Sequence, residues 1–500
     1  MKEKLDHLKT TLNEIADLEA AAALMGWDQQ VNMPPDGAEA RGNQLATVQK
    51  LIHQKSITPE MGQLIEDLSL GTRELDPDSD NARLIKVAKR NFDRDVKVPP
   101  EFTAEFAKVT TIAFSAWAEA READDFSQFQ PHLEKIIELL HRFVSYFEPY
   151  DHAYDPLLDQ FEPGMKTVDV RTIFDALRPQ QVELIQAIAD HPGIDDSFLH
   201  QKYDESKQWD FGVDVITKYG YDWKRGRQDK SAHPFTTNFG RDDVRITTRI
   251  EPEYLGSALF SSLHECGHGL YELGSAPKYE RSPLAGGASL AIHESQSRMY
   301  ENLIGRSLPF WEHFYPSLQT YFPTQLGDVD LLTFYRGINK VEPSLIRVEA
   351  DEATYNLHIM LRLELEIALM EGDLAVKDLP EAWNAKFEDY LGLTPPNDAL
   401  GVLQDVHWSA GLVGYFSTYA LGNLISVQMW EQMQKDMPDM GDQIREGEFA
   451  VLLQWLVTNV HQYGKKYEPQ ELVQRVTGSK IEAAPYMRYL QTKYSNIYQL

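Results

Sequence analysis

Two histidines and a glutamate in Ser262-Leu263-His264-Glu265-Cys266-Gly267-His268-Gly269 are spaced so that they can hold and serve a metal ion. At about 100° per residue, a helix turns His264 and His268 to within about 40° of each other, with Glu265 about 60° further round. Two imidazoles on one face can share a divalent ion while the carboxylate beside them deprotonates a zinc-bound water. Fifteen histidines in 500 residues make a chance match to His-Glu-x-x-His a real alternative. A third ligand is therefore required, because a catalytic zinc usually takes three from the protein and leaves one position for water. Glu294, in Ala291-Ile292-His293-Glu294-Ser295-Gln296-Ser297-Arg298, is the best candidate. It follows a loop rich in glycine and proline (Gly274, Pro277, Pro283, Gly286, Gly287) that is long enough to fold a second helix back over the first. Cys266 lies inside the motif, but on a helix it points roughly 160 to 200° away from the histidines, so it is expected to pack behind the site.

The elements that position these residues are predicted to be mostly helical. Hydrophobic residues make up 42 % of the chain, and no linker, repeat or low-complexity tract divides it, so residues 1–500 read as one unit. Leu5, Leu8, Leu12, Ile15 and Leu18 recur at helical spacing and predict a first helix ending near Gly26, with an exposed lid as one use for it. Met33-Pro34-Pro35-Asp36-Gly37 reads as a turn, and Thr58-Pro59 as a helix cap followed by proline at the first position. Residues 101–148 read as two helices, and further helices are expected at about 167–191 and 205–219. The period then changes. Val244, Ile246, Thr248 and Ile250 alternate with Arg245, Thr247 and Arg249, which predicts a strand whose edge could receive an extended peptide or which could simply cover the helices.

A formal charge of -29 argues against nucleic acid as a partner. The charged start Met1-Lys2-Glu3-Lys4-Leu5-Asp6 is unlike a signal peptide, and no run of apolar residues is long enough for a bilayer, so no membrane is expected. Together with the single cysteine, this predicts a cytoplasmic protein.

Several stretches occur in a telling order: His233-Pro234-Phe235, Asp243-x-Arg245-x-Thr247, the His264 motif, His293-Glu294-Ser295-Gln296, Ile346-Arg347-Val348-Glu349-Ala350-Asp351 and Gly401-Val402-Leu403-Gln404-Asp405-Val406-His407-Trp408. In these the chain resembles the carboxypeptidase Taq family, also called thermostable carboxypeptidase 1. The resemblance extends to Gly26-Trp27-Asp28 and Phe161-Glu162-Pro163-Gly164, and so to essentially the whole chain. It implies a mainly α-helical fold with a deep substrate groove and a small β-sheet near the active site, similar to neurolysin and angiotensin-converting enzyme, usually as a homodimer. It also implies a metallocarboxypeptidase of broad specificity that uses one zinc, or in some members cobalt, with peptides as substrates. Carried over by motif, His264, His268 and Glu294 are the metal ligands and Glu265 is the base.

The remaining roles follow from what peptide hydrolysis needs. Glu265 takes a proton from the metal-bound water and returns it to the leaving amine. The developing oxyanion needs a donor, for which His407 and Tyr415 are candidates, with plain core packing as the alternative. An exopeptidase needs a cation for the terminal carboxylate. Arg347 comes first, although Glu349, Asp351 and Glu352 nearby make a structural ion pair a rival; Arg245 and Arg249 are the fallbacks. His233 could touch substrate or, preceding Pro234, only shape a loop. His293 is expected to point elsewhere on its helix. A metallo-oligopeptidase with an open groove and a non-catalytic peptide-binding protein are the competing classes.

Overall fold

The computed structural model describes residues 1–72 and 75–500, and helices dominate them. The local causes are those visible in the sequence. Thr58 caps the helix Pro59–Gly71 by accepting from the Met61 N–H, and Asp204 caps Glu205–Tyr219 by accepting from Ser206 and Lys207. Gly220 ends the latter in the left-handed conformation that costs glycine least. Along Phe126–Ser145, the residues Phe126, Phe129, Leu133, Ile136, Ile137, Leu140 and Val144 are buried at three- and four-residue steps, the stripe that fastens one face of a helix to a core.

The chain gathers into two compact units. The first comprises residues Met1–Val96, Asp195–Ile338 and Met429–Gly478. Its opening helix, Lys2–Val31, runs five residues past the expected stop at Gly26. Nothing crowds Gly26, and the helix gains by burying Trp27, which outweighs the roughly 1 kcal/mol that glycine costs inside a helix. The break comes instead at Pro34 and Pro35. Leu5, Leu8, Ile15 and Ala22 of this helix pack with Met61, Ile65, Leu68, Leu84 and Ile85 in one apolar cluster, and Arg281 pairs with Asp17. That helix is thus held by its apolar face.

Three strands follow: β1 (Gly226–Lys230), β2 (Thr236–Asn238) and β3 (Val244–Thr248). Their order is β1-β3-β2, with β3 parallel to β1 and antiparallel to β2. The expected strand is therefore the central one, and both its edges are already paired, so it has none to offer a peptide. Its place was hidden because β1, Gly226-Arg227-Gln228-Asp229-Lys230, lacks the apolar alternation that marks strands. All three strands reach the helix Leu255–Leu273, which carries the His264 motif. Gln228 of β1 donates to Ser262, Thr248 of β3 donates to the Ala258 carbonyl, and Thr236 of β2 meets Glu265.

The second unit comprises residues Lys97–Ile194, Asn339–Gln428 and Ser479–Leu500. Its main helices are Pro100–Ala123, Phe126–Ser145, Thr167–Ala189, Tyr355–Glu371, Leu379–Leu391 and Ala484–Tyr498. Tyr355–Glu371 is buried nearly all round, as a central helix must be. No helix among the described residues is long and apolar enough to cross a membrane.

Candidate metal centre

Helix Leu255–Leu273 brings His264 and His268 to one side, with ring centroids 4.9 Å apart. Helix Leu290–Arg298, started by Ser289 accepting from the Ile292 N–H, lays Glu294 across them. Gly267 makes this approach possible. A Cβ there would lie 2.6 Å from the Gln296 carbonyl oxygen and 2.6 Å from Ser297 Cα, so any side chain would push the second helix away.

His264 Nε2 lies 3.7 Å and His268 Nε2 3.6 Å from the same oxygen, Glu294 Oε2. These distances are too long for hydrogen bonds. They suit two ligands of one ion, since tetrahedral bonds of about 2.0 Å hold ligand atoms about 3.3 Å apart. The three donor atoms lie within 4.8 Å of one another, and theirs is the one such group found among the described residues. The sides facing away from the centre are occupied. Arg298 Nε donates to Glu294 Oε1 at 2.7 Å, which turns Oε2 toward the histidines. Glu301 Oε2 holds His264 Nδ1 at 2.9 Å, and His268 Nδ1 stands 2.8 Å from His293 Nδ1. Donors that converge inward while their backs are held outward fit a divalent ion.

Electrostatics agree. Burial, helped by the neighbouring histidines, pushes the pKa of His268 well down and keeps the ring in the neutral form that ligates. Burial opposes charge on His264 too, but Glu294 and Glu301 outweigh it and raise its pKa, a pull that a cation at the centre would oppose. Glu301 itself is held at about 2: burial works to raise it, and Arg298 with His264 overcomes that. Burial lifts Glu265 above the usual carboxylate range, although His264 and the Thr236 hydroxyl pull the other way. Thr236 Oγ1 lies 2.6 Å from Glu265 Oε2, so an edge strand fixes the direction of the carboxylate. Cys266 is fully buried and free, and burial drives its thiol pKa up.

Glu301, Arg298, Thr236 and Glu272 escaped the sequence reading. Only the Arg298 spacing, four residues after Glu294 on a helix, carried a signal. His293 is a correction. It does not point away but stands against His268 and reaches Glu272 at 2.6 Å, both on the neighbouring helix.

Arg245 lies over Trp27 at 4.2 Å and makes a two-pronged pair with Asp243. Arg249 is half exposed and faces Glu251, and His233 is exposed.

The other candidates belong to the second unit. Arg347 is buried, donating through Nε and Nη2 to Asp405 and through Nη1 to the Tyr355 hydroxyl; its acidic neighbours in sequence are not its partners. Arg362 shares Asp405 from the other side. His407 and Tyr415 have ring centroids 5.4 Å apart. Burial takes His407 down to about 4, with Asp405 opposing the fall and Arg347 and Arg362 adding to it, so the ring is neutral at neutral pH. Glu366 pins the intervening segment at both ends, accepting from Trp408 Nε1 at 2.8 Å and from the Gly414 N–H at 3.0 Å.

A His-Glu-x-x-His helix crossed by a glutamate helix defines a metal-dependent peptide hydrolase. The family model described as "Carboxypeptidase Taq (M32) metallopeptidase" matches residues 7–494. The chain belongs to this family of metallocarboxypeptidases, whose chemistry requires a divalent metal and peptide substrates. It is 40 % identical over 495 residues to thermostable carboxypeptidase 1 of Thermus thermophilus, covering 97 % of both chains. It is 39 % identical over 490 residues to carboxypeptidase 1 of Bacillus subtilis, covering 98 % of this chain and 97 % of that one. The crystal structure of the M32 carboxypeptidase from Deinococcus radiodurans superimposes with a TM-score of 0.97 at 39 % identity, over the full length of both chains.

Proposed function

We propose that this carboxypeptidase acts with broad specificity, holding zinc through His264, His268 and Glu294 and using Glu265 as the catalytic base. The observation that carries the ligand set is the convergence of both Nε2 atoms on Glu294 Oε2 while each opposite nitrogen is engaged. When bound, the ion supplies a Lewis acid for the scissile carbonyl and the attacking water, and two imidazoles with one carboxylate are donors that zinc favours and cobalt accepts. Glu265 accepts the proton of the water and delivers it to the leaving amine; its raised pKa strengthens it as a base, and Thr236 keeps it aimed. His407, neutral at neutral pH, and Tyr415 are the proposed candidates for oxyanion donors.

For the terminal carboxylate, Arg347 is the proposed cation. Two guanidiniums, Arg347 and Arg362, share the single carboxylate of Asp405, which leaves one positive charge in excess among groups in contact. Arg362 is fully buried, so Arg347 is the side an anion would meet. Arg245 and Arg249 are each matched one to one, by Asp243 and Glu251, and together with His233 stay secondary substrate contacts. Broad specificity and a homodimer are what the family resemblance implies. A cytoplasmic setting agrees with a chain whose single cysteine cannot form an internal disulfide.

Glu265→Gln should lower turnover by about 10²- to 10⁴-fold with metal content unchanged; loss of metal on that substitution would make Glu265 a ligand rather than the base. The parent should cleave free-acid peptides far better than amidated ones. Arg347→Ala should remove on the order of 100-fold from kcat/KM on free acids only. Equal cleavage of both peptide types by the parent would overturn the terminal-carboxylate reading.

A further inference from the structure

We infer that Glu272 and His293 form a two-ring relay that sets the proton of His268 and so presents its Nε2 lone pair to the metal position; this rests on the ligand set proposed above. The argument is one of proton counting along a chain of short contacts. Glu272 Oε1 stands 2.6 Å from His293 Nε2, and His293 Nδ1 stands 2.8 Å from His268 Nδ1. An ionised carboxylate only accepts, so His293 carries its proton on Nε2. With that as its one proton, His293 has a lone pair at Nδ1, and the 2.8 Å contact is then a hydrogen bond only if His268 donates from its own Nδ1. That leaves His268 Nε2 bare, and Nε2 is the atom facing Glu294 Oε2 at 3.6 Å. The opposite order, with His293 donating from Nδ1, would place the proton of a neutral His268 on Nε2 and block it as a ligand.

The surroundings keep the relay in register. Glu272 is held below the usual carboxylate range: burial resists this, and the hydrogen bond to His293 overcomes it. The His293 ring packs on Tyr271 at a centroid distance of 5.0 Å, and the Tyr271 hydroxyl in turn accepts from the Ala288 N–H. Gly287 leaves room for the ring, since a Cβ there would lie 2.6 Å from His293 Cδ2. His264 receives the same service in one step, directly from Glu301. The two ligands thus have unequal supports, a carboxylate for one and a histidine backed by a carboxylate for the other.

Zinc affinity by chelator competition and ¹⁵N NMR of histidine-labelled full-length protein after chelation test this. The metal-free parent should show a protonated Nδ1 and a bare Nε2 on His268. Glu272→Leu removes the terminal acceptor without touching His268; it should move that proton to Nε2 and weaken zinc binding 10- to 100-fold. Glu272→Gln keeps an accepting oxygen and should stay within a few-fold of the parent. A parent His268 protonated at Nε2 would overturn the relay whether or not the variants fold. His268→Ala, measured alongside, separates the two claims. If it loses zinc while Glu272→Leu binds like the parent, the relay alone is wrong; if it keeps zinc, the ligand set itself fails.

Discussion

Two clusters of ionisable side chains, one partly buried in the first unit and one buried in the second, are built on opposite plans. In the first, His264, His268 and Glu294 turn lone pairs toward a common point and have their far sides held by Glu301, His293 and Arg298. In the second, Arg347, Arg362 and Asp405 turn toward each other, and Gln404 fills in by accepting from the Arg347 N–H and from Arg362 Nη2. The first cluster faces acceptors toward its centre, where Ser297 Oγ donates to Glu294 Oε2 at 3.3 Å. The second satisfies itself, apart from one surplus positive charge. Burial and ionisable residues are common to both, so neither marks a metal site; the direction in which the acceptors face does.

The contrast can be broken in three places. Asp405→Asn should have the largest effect on folding, about 3 to 5 kcal/mol by denaturant titration, because it leaves two buried guanidiniums without their carboxylate. Metal content should not change; a loss of zinc would mean that the two clusters are not independent. The same residue gives a pH signature. Asp405 is held well below its ordinary value of 3.8 by Arg362 and Arg347, against the pull of burial. Its contribution is therefore fully present above that value and is lost as pH falls toward the depressed one, so stability should decline steadily below about pH 4. Stability that is flat across that range in the parent would show that the pair contributes little.

Gly267→Ala should cost less, about 1 to 3 kcal/mol, but should also weaken zinc binding because it pushes Glu294 outward. If zinc affinity holds, the helix contact does not set the site. Cys266→Ala should be the mildest, about 1 kcal/mol with zinc retained, since the thiol lies behind the ligand face. Stoichiometric loss of zinc there would show that the thiol reaches the metal.

How far the sequence foretold these clusters depended on how local each relation was. His264, Glu265 and His268 are separated by one helical turn, so their shared face could be read from spacing. The Thr58 cap and the helix Phe126–Ser145 were legible for the same reason. Glu294 needed only the assumption that a loop folds back. Arg298 apart, the partners described above come from farther away: Thr236 lies 29 residues before Glu265, and Asp405 lies 58 after Arg347. Their pairing is decided by tertiary packing, which no local pattern encodes. The central place of β3 was missed likewise, because a strand's own alternation says nothing about how many neighbours it has.

Around the metal position, Glu265, Glu272, Glu294 and Glu301 provide four carboxylates against the two guanidiniums of Arg298 and Arg306. With all four ionised, negative charge is left over even after Lys465, which acts on Glu272, is counted. A divalent cation would therefore be favoured at this position by charge as well as by its donor set. By mass action, free metal at a hundred times its dissociation constant should stabilise the folded chain by about 2.7 kcal/mol. The melting temperature of this enzyme is thus also a gauge of how much of it is loaded.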